Sequence, residues 1–184
     1  MALSNQEKTC YTAEEYLSWG EDVRAEIIDG KLFMMAPPTL THQGVLVALA
    51  SQLYDFLKGK PCKVFPAPVG VRLVETEDTV LEPDIIVVCD PEKLSGQKIC
   101  NGAPDLVVEI LSPSTAKMDT LIKFQKYQKS GVPEYWILDP ESKTLHVNLL
   151  HDGAYKVQVY TQTDNVPVQV LEGCRVNLQE VFAE

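Results

Sequence analysis

Asp84 and Glu109 stand where a chain normally keeps acids away. Asp84 follows Pro83 and opens the apolar run Ile85-Ile86-Val87-Val88; Glu109 lies inside Leu106-Val107-Val108-Glu109-Ile110-Leu111. Near-continuous apolar runs of this length suit strands covered on both faces of an α/β sheet. An unpaired carboxylate in such a place is expensive. Two acids 25 positions apart (109 − 84), set on neighbouring central strands and facing one side, form a seat for a hard divalent cation such as Mg²⁺. The plainer alternative is that Asp84 ends a turn and Glu109 pairs with a lysine. Taken one at a time the acids favour that alternative; the pair together gives the cation site equal standing.

Three further residues recur at helical spacing after the second run. Asp119, Lys123 and Tyr127 fall at i, i+4 and i+8 and so share one helix face. A solvated face with an ordinary Asp–Lys pair competes with a role for Lys123 beside the acids. Lys117, Lys126 and Lys129 crowd the same stretch and would offer phosphate contacts, although each singly reads more simply as a solvated surface residue. His42 sits near a predicted helix start, where the helix dipole favours a neutral imidazole; a plain helix-start residue is the preferred reading. His146 and His151 show no partner pattern. Trp136 alternates with Leu138 and reads as core.

The elements that must position these groups follow from local pattern. Thr12-Ala13-Glu14-Glu15 is a capping box opening a helix to about Gly20. Two apolar-rich runs, Ala25 to Ile28 and Lys31 to Met35, joined by Asp29-Gly30, predict a hairpin. Thr41 is placed to cap a helix from His42 to about Lys58, with Val45, Leu46, Leu49, Leu53, Phe56 and Leu57 at helical spacing and Gly59 as its stop. Pro66 and Pro68 restrict Lys63 to Leu73 to edge or irregular strands. Val74 to Glu82 reads as an acidic loop, and Asp90 to Pro104 as a second loop. A helix is expected from about Asp119 to Ser130, then a strand from Glu134 to Leu138 ended by Asp139-Pro140. Thr144 to Leu149 and Tyr155 to Thr161, with Asp152-Gly153 between, predict a C-terminal antiparallel hairpin. Leu178 to Phe182 suggests a last helical turn.

Composition bounds the rest. Hydrophobic residues at 45% and charged residues at 23% describe an ordinary globular chain, expected to form one domain over residues 1–184. A net charge of −10 argues against indiscriminate binding to nucleic acid, which rests on phosphate neutralisation. No apolar run has the length of a membrane span, and the polar Met1 to Tyr16 stretch does not read as a signal peptide. Five widely spaced cysteines with no CxxC pair lead us to expect reduced thiols and a cytoplasmic location.

The chain as a whole resembles a bacterial family of restriction-endonuclease-like proteins within the PD-(D/E)XK superfamily. The resemblance rests on Asp29-Gly30, His42, Pro83-Asp84-Ile85, the run Ala103-Pro104-Asp105-Leu106-Val107-Val108-Glu109, and Leu111-Ser112-Pro113-Ser114-Thr115. The spacing of Asp119, Lys123 and Tyr127 and the segment Gly131-Val132-Pro133-Glu134-Tyr135-Trp136 complete it, so that it extends from about Tyr11 to Phe182. It implies an α/β fold with a mixed central sheet flanked by helices, and an Mg²⁺- or Mn²⁺-dependent endonuclease acting on DNA. It also implies Asp84 and Glu109 as metal ligands, Glu26 as a further carboxylate, Lys123 as the catalytic cation, and support from His42, Asp119 and Tyr127. From spacing alone Glu26 would be a surface acid. A homodimer is common for such a fold. One departure is plain: the motif lysine, two residues after the glutamate, is replaced by Leu111, which strand alternation puts on the same face as Glu109. Either Lys123 supplies the missing cation, or the domain has kept the fold as a non-catalytic nucleic-acid-binding or scaffold module. A two-carboxylate sugar hydrolase ranks last, because only 8% of residues are aromatic and none cluster near the two acids.

Overall fold

The computed structural model describes residues 10–20, 23–73, 78–96, 98–112 and 118–183. Its strands are β1 (Ala25–Ile28), β2 (Lys31–Met34), β3 (Lys63–Pro66), β4 (Gly70–Arg72), β5 (Val80–Leu81), β6 (Ile85–Val88) and β7 (Ile99–Asn101), followed by β8 (Leu106–Ile110), β9 (Glu134–Asp139), β10 (Thr144–His151), β11 (Ala154–Thr161), β12 (Asn165–Pro167) and β13 (Arg175–Asn177). The α-helices are α1 (Ala13–Ser18), α2 (Leu40–Leu57), α3 (Phe124–Lys129) and α4 (Leu178–Val181); a π-helical segment, Met118–Lys123, runs directly into α3.

Six strands form the larger sheet in the order β11-β10-β9-β8-β6-β3, in which only β8 and β9 run parallel. Every residue of β6 and β8 is buried; the sequence of β6 is wholly apolar, and that of β8 is apolar apart from Glu109. Alternation along these strands divides the core in two. Ile85, Val87, Leu106, Val108 and Ile110 face α2, whose Val45, Leu46, Leu49, Leu53 and Leu57 cover that side. Ile86, Val88 and Val107 face the other way, against Ile28, Val71, Leu81 and Tyr127. That second layer is a five-stranded sheet, β2-β1-β5-β4-β7, with α3 beside it. The architecture is the mixed α/β arrangement expected of a restriction-endonuclease-like fold, and β10 with β11 forms the predicted hairpin.

Both Asp-Gly turns close as two-residue loops with positive φ at each residue, 49° and 74° at Asp29 and Gly30, 51° and 79° at Asp152 and Gly153. This is the primed-turn geometry whose twist matches the paired strands. Four expectations need correction. The N-cap of α2 is Thr39, not Thr41; its hydroxyl accepts the backbone N–H of His42, which lies at the third helical position. The segment ending at Glu82 contains β5, which joins β1 to β4, so two buried residues in an acidic context build the centre of the second sheet. The supposed loop from Asp90 to Pro104 holds a 3₁₀ turn, Pro91–Leu94, and β7. Finally, Cys62 and Cys89 are joined by a disulfide rather than held as separate thiols. The register Lys63↔Val88 makes them cross-strand neighbours one step beyond the paired residues, a proximity that sequence spacing does not reveal. Among the described residues no helix is long and apolar enough to cross a membrane.

Candidate active site

The register of the two central strands decides where the acids meet. Ile85 pairs with Val108 in an antiparallel ladder, and one step further along the same ladder sets Asp84 opposite Glu109. Directly opposed residues have Cβ atoms about 5 Å apart and point to the same face. Here that face is the one turned toward the second sheet, because Glu109 alternates with Val107. Asp84 is fixed by three contacts: the backbone N–H of Ile110 donates to its Oδ2 at 2.7 Å, and His42 Nε2 lies 3.2 Å from each of its oxygens. His42 reaches that point because Thr39 starts α2 three residues earlier.

Glu109 is 3% exposed. Its Oε1 accepts from Lys123 Nζ at 3.0 Å and from Tyr127 Oη at 2.9 Å. Lys123 also lies 2.7 Å from Glu26 Oε1 and 3.4 Å from Asp119 Oδ1. Glu26 projects from β1 on the same side as Ile28, and its Oε1 accepts the backbone N–H of Glu82 at 2.9 Å. The structure therefore gathers Asp84, Glu109, Lys123, Glu26, His42, Asp119 and Tyr127 around one point. The interval Asp119–Lys123 is π-helical rather than α-helical, a form that recurs as short insertions at functional sites.

Charge inside this cluster is unbalanced. Burial lowers the pKa of Lys123, but the nearby charges of Glu109, Glu26 and Asp119 outweigh it and hold the pKa well above the ordinary value. Lys123 is accordingly a fixed ammonium and cannot serve as a base. Burial pushes the Glu109 carboxyl well up; Lys123 opposes this, while Asp119, Asp84 and Glu26 add to it. One ammonium thus faces several carboxyl groups, and a further cation there would favour the ionised form of Glu109. Burial lowers the pKa of His42, but its hydrogen bond to Asp84 and the charge of Asp84, with the Ile110 carbonyl and Asp119, outweigh that and raise it.

Asp84, Glu109, Lys123, Glu26, His42 and Asp119 line an open cavity of about 450 Å³, together with the apolar residues Phe33, Met34, Met35, Pro37 and Pro38. Two charged residues of its lining, Glu82 and Arg24, were not singled out from sequence. Glu82 is 5% exposed, accepts from Tyr16 Oη at 2.8 Å and pairs with Arg24 at 3.2 Å. It sits two positions before Asp84 in Glu82-Pro83-Asp84, which was the available signal. Leu111 packs with the apolar layer and lines a neighbouring cavity of about 320 Å³ with Thr41, Ser112 and Asp139. Of the three auxiliary lysines, Lys126 is engaged by Asp29 and Lys129 is exposed, while Lys117 and the Pro113 to Thr115 stretch lie outside the described residues. Trp136 is fully buried, its Nε1 donating to Glu134 at 2.7 Å.

Residues 13–179 match the model of the Uma2 family, described as "Putative restriction endonuclease". The chain belongs to the Uma2 family. An uncharacterized Synechocystis protein, slr1290, is 31% identical over 162 residues, covering 85% of this chain and 83% of that one. A second from the same organism, sll1609, is 26% identical over 132 residues, or 70% and 74% of the two chains. The fold is shared with a crystal structure from Anabaena variabilis described as a putative nuclease belonging to DUF820. The TM-score is 0.76 at 21% identity, with 94% of this chain and 97% of that chain covered.

Proposed function

We propose that this Uma2 protein is a metal-dependent endonuclease that hydrolyses phosphodiester bonds in DNA, with Asp84 and Glu109 as the carboxylates of an Mg²⁺ or Mn²⁺ site. The observation that carries the reading is the ladder register that opposes Asp84 to Glu109 at the floor of an open cavity.

The donor set suits a hard divalent ion. Among the described residues no group of three or more His, Cys, Asp or Glu stands at metal-binding spacing, so Asp84 and Glu109 would leave much of the coordination to water and a backbone carbonyl such as that of Ile110. Mg²⁺ commonly binds in this way, through one or two carboxylates and several retained waters. Both described bonds to Glu109 fall on Oε1, which keeps the carboxylate anchored by one oxygen. When bound, the ion would activate a water and neutralise charge on the scissile phosphate.

The chain's own residues supply the remaining functions. The Ile110 N–H and His42 hold Asp84 in one orientation, and Tyr127 does the same for Glu109. Lys123, kept protonated by its acidic neighbours, adds positive charge where the phosphate becomes more negative in the transition state. This assigns the work of the absent motif lysine to the helix that follows β8. Glu26 and Asp119 fix the position of Lys123.

A second reading is favoured by the same ammonium. Lys123 already occupies the centre of the acids, as in a non-catalytic nucleic-acid-binding or scaffold domain that has replaced a metal by an internal cation. Plasmid nicking in Mg²⁺ or Mn²⁺ by the parent and by Asp84→Ala separates the two. The nuclease reading expects nicking by the parent, abolished by chelation and reduced to background in Asp84→Ala. Equal cutting by the variant, or an inert parent across both metals, refutes it.

A further inference from the structure

The far edge of the large sheet presents a different kind of surface. β11 pairs only with β10, and the two-residue turn at Asp152-Gly153 closes on the pair His151↔Ala154. Such a turn makes its closing pair a hydrogen-bonded one, after which bonded and non-bonded pairs alternate. The backbone N–H and C=O groups of Tyr155, Val157, Val159 and Thr161 consequently point away from β10. At either end of the strand this outward edge is closed by a side chain: the Tyr155 N–H donates to Gln128 Oε1 at 2.9 Å, and the Thr161 N–H to Asp164 Oδ2 at 2.7 Å. Between them, among the described residues, the outward N–H groups of Val157 and Val159 meet no partner. The same two valines are each 58% exposed. An eight-residue edge open at its centre, with no covering element among the described residues, is a template for another strand.

We infer that the partner is a second copy of this chain, docked through β11 in an antiparallel pair about a twofold axis at Gln158. The local sequence is Tyr155-Lys156-Val157-Gln158-Val159-Tyr160, and its centre, Val157-Gln158-Val159, reads the same in either direction. Antiparallel pairing centred on Gln158 sets Val157 against Val159 of the copy and the reverse. Both are positions whose N–H and C=O groups face outward, so these groups are satisfied reciprocally and four exposed valines are covered by one another. A twofold contact of this type needs a self-complementary patch, and this stretch is self-complementary in hydrogen bonding, in side-chain size and in charge. Its one charged residue, Lys156, falls opposite the Tyr160 ring of the copy, an arrangement cations favour, and no acid on the strand is brought against another despite the net charge of −10. The capped ends hold the pairing to the middle of the strand. The contact is therefore small and the dimer concentration-dependent, with the two cavities outside the interface.

Sedimentation of the full chain over a range of concentrations tests this. The parent should shift from about 20.5 kDa toward twice that mass as concentration rises. The double variant Val157→Glu with Val159→Glu should remain monomeric throughout while keeping the parent's circular dichroism, since both side chains are exposed. A second variant fixes the register: Gln158→Cys in a Cys10→Ser background, treated with oxidised glutathione, should give a covalent dimer on a non-reducing gel that the Cys10→Ser background alone does not. A parent that stays monomeric at every concentration overturns the inference. So does a double variant that associates like the parent, or a dimeric parent whose Gln158→Cys form does not cross-link.

Discussion

Glu109 and Glu134 lie on neighbouring parallel strands, both at or below 3% exposure, and they solve the same problem in opposite ways. Glu134 divides its bonds: Oε1 accepts from Trp136 Nε1 at 2.7 Å and Oε2 from the Val170 N–H at 2.9 Å. Those donors are neutral and fixed by the fold, and they tie β9 to the chain beyond β12. Glu109 instead draws a charged lysine and a phenol onto one oxygen and stands among other acids. Burial raises both carboxyls, and in Glu134 hydrogen bonds offset only part of that rise, with no cluster of charges adding to it. A buried acid that is satisfied by neutral donors behaves as part of the scaffold. One held by charges of both signs, at the floor of a cavity, is poised to exchange them for a ligand.

Replacing Lys123 by Met should break this contrast most severely. It leaves Glu109, Glu26 and Asp119 facing one another without their ammonium, and removing one partner of a buried ion pair costs about 3–5 kcal/mol. Urea denaturation in a chelator would read it, and a loss under roughly 1 kcal/mol would show that the acids are already neutral or solvated.

Glu134→Ala should come next. It strands the Trp136 and Val170 N–H groups, each worth about 1–3 kcal/mol when buried without a partner, yet it should leave any Mn²⁺-induced rise in Tm unaltered. Glu109→Gln should show the reverse pattern. Shape and one acceptor oxygen are kept, so stability should stay within about 1.5 kcal/mol, while the rise in Tm with added Mn²⁺ disappears. Should both glutamate variants respond to Mn²⁺ like the parent, the comparison fails.

The smallest effect is a pH dependence. The folded-state pKa of Glu134 is raised above its ordinary 4.5, so the stability it contributes is full below that value and falls as pH rises through the folded pKa. Compared with the parent in chelator, Glu134→Gln should gain relative Tm as pH climbs from about 4.5, then level off. A difference that is flat with pH, or of opposite sign, contradicts the assignment.

Much of the frame is legible from short-range pattern. The Thr12 capping box forms both of its bonds with Glu15, both Asp-Gly hairpins close as expected, and the apolar runs around Asp84 and Glu109 become the buried strands. These signals are complete within a few residues. What escaped depends on distant partners. β5 has two residues and no periodicity to detect, and it exists because β1 and β4 sit on either side of it. Cys62 meets Cys89 through the register of β3 on β6. Thr39 displaces Thr41 as the N-cap because the first helical position is Leu40, an exposed residue without an apolar-face signal. Within the site, the facing of Asp84 and Glu109 follows from strand parity, whereas the Glu82, Tyr16 and Arg24 contacts behind Glu26 required the second sheet.

The central claim is that Asp84 and Glu109 share one divalent cation. A crystal of the parent soaked in Mn²⁺ and measured at a wavelength where manganese scatters anomalously tests it directly. The account predicts a single strong peak roughly 2.1 Å from a carboxylate oxygen of each acid, with Lys123 moved no farther than the cavity wall. A peak elsewhere, or a site that stays filled by the Lys123 ammonium at saturating Mn²⁺, would contradict it.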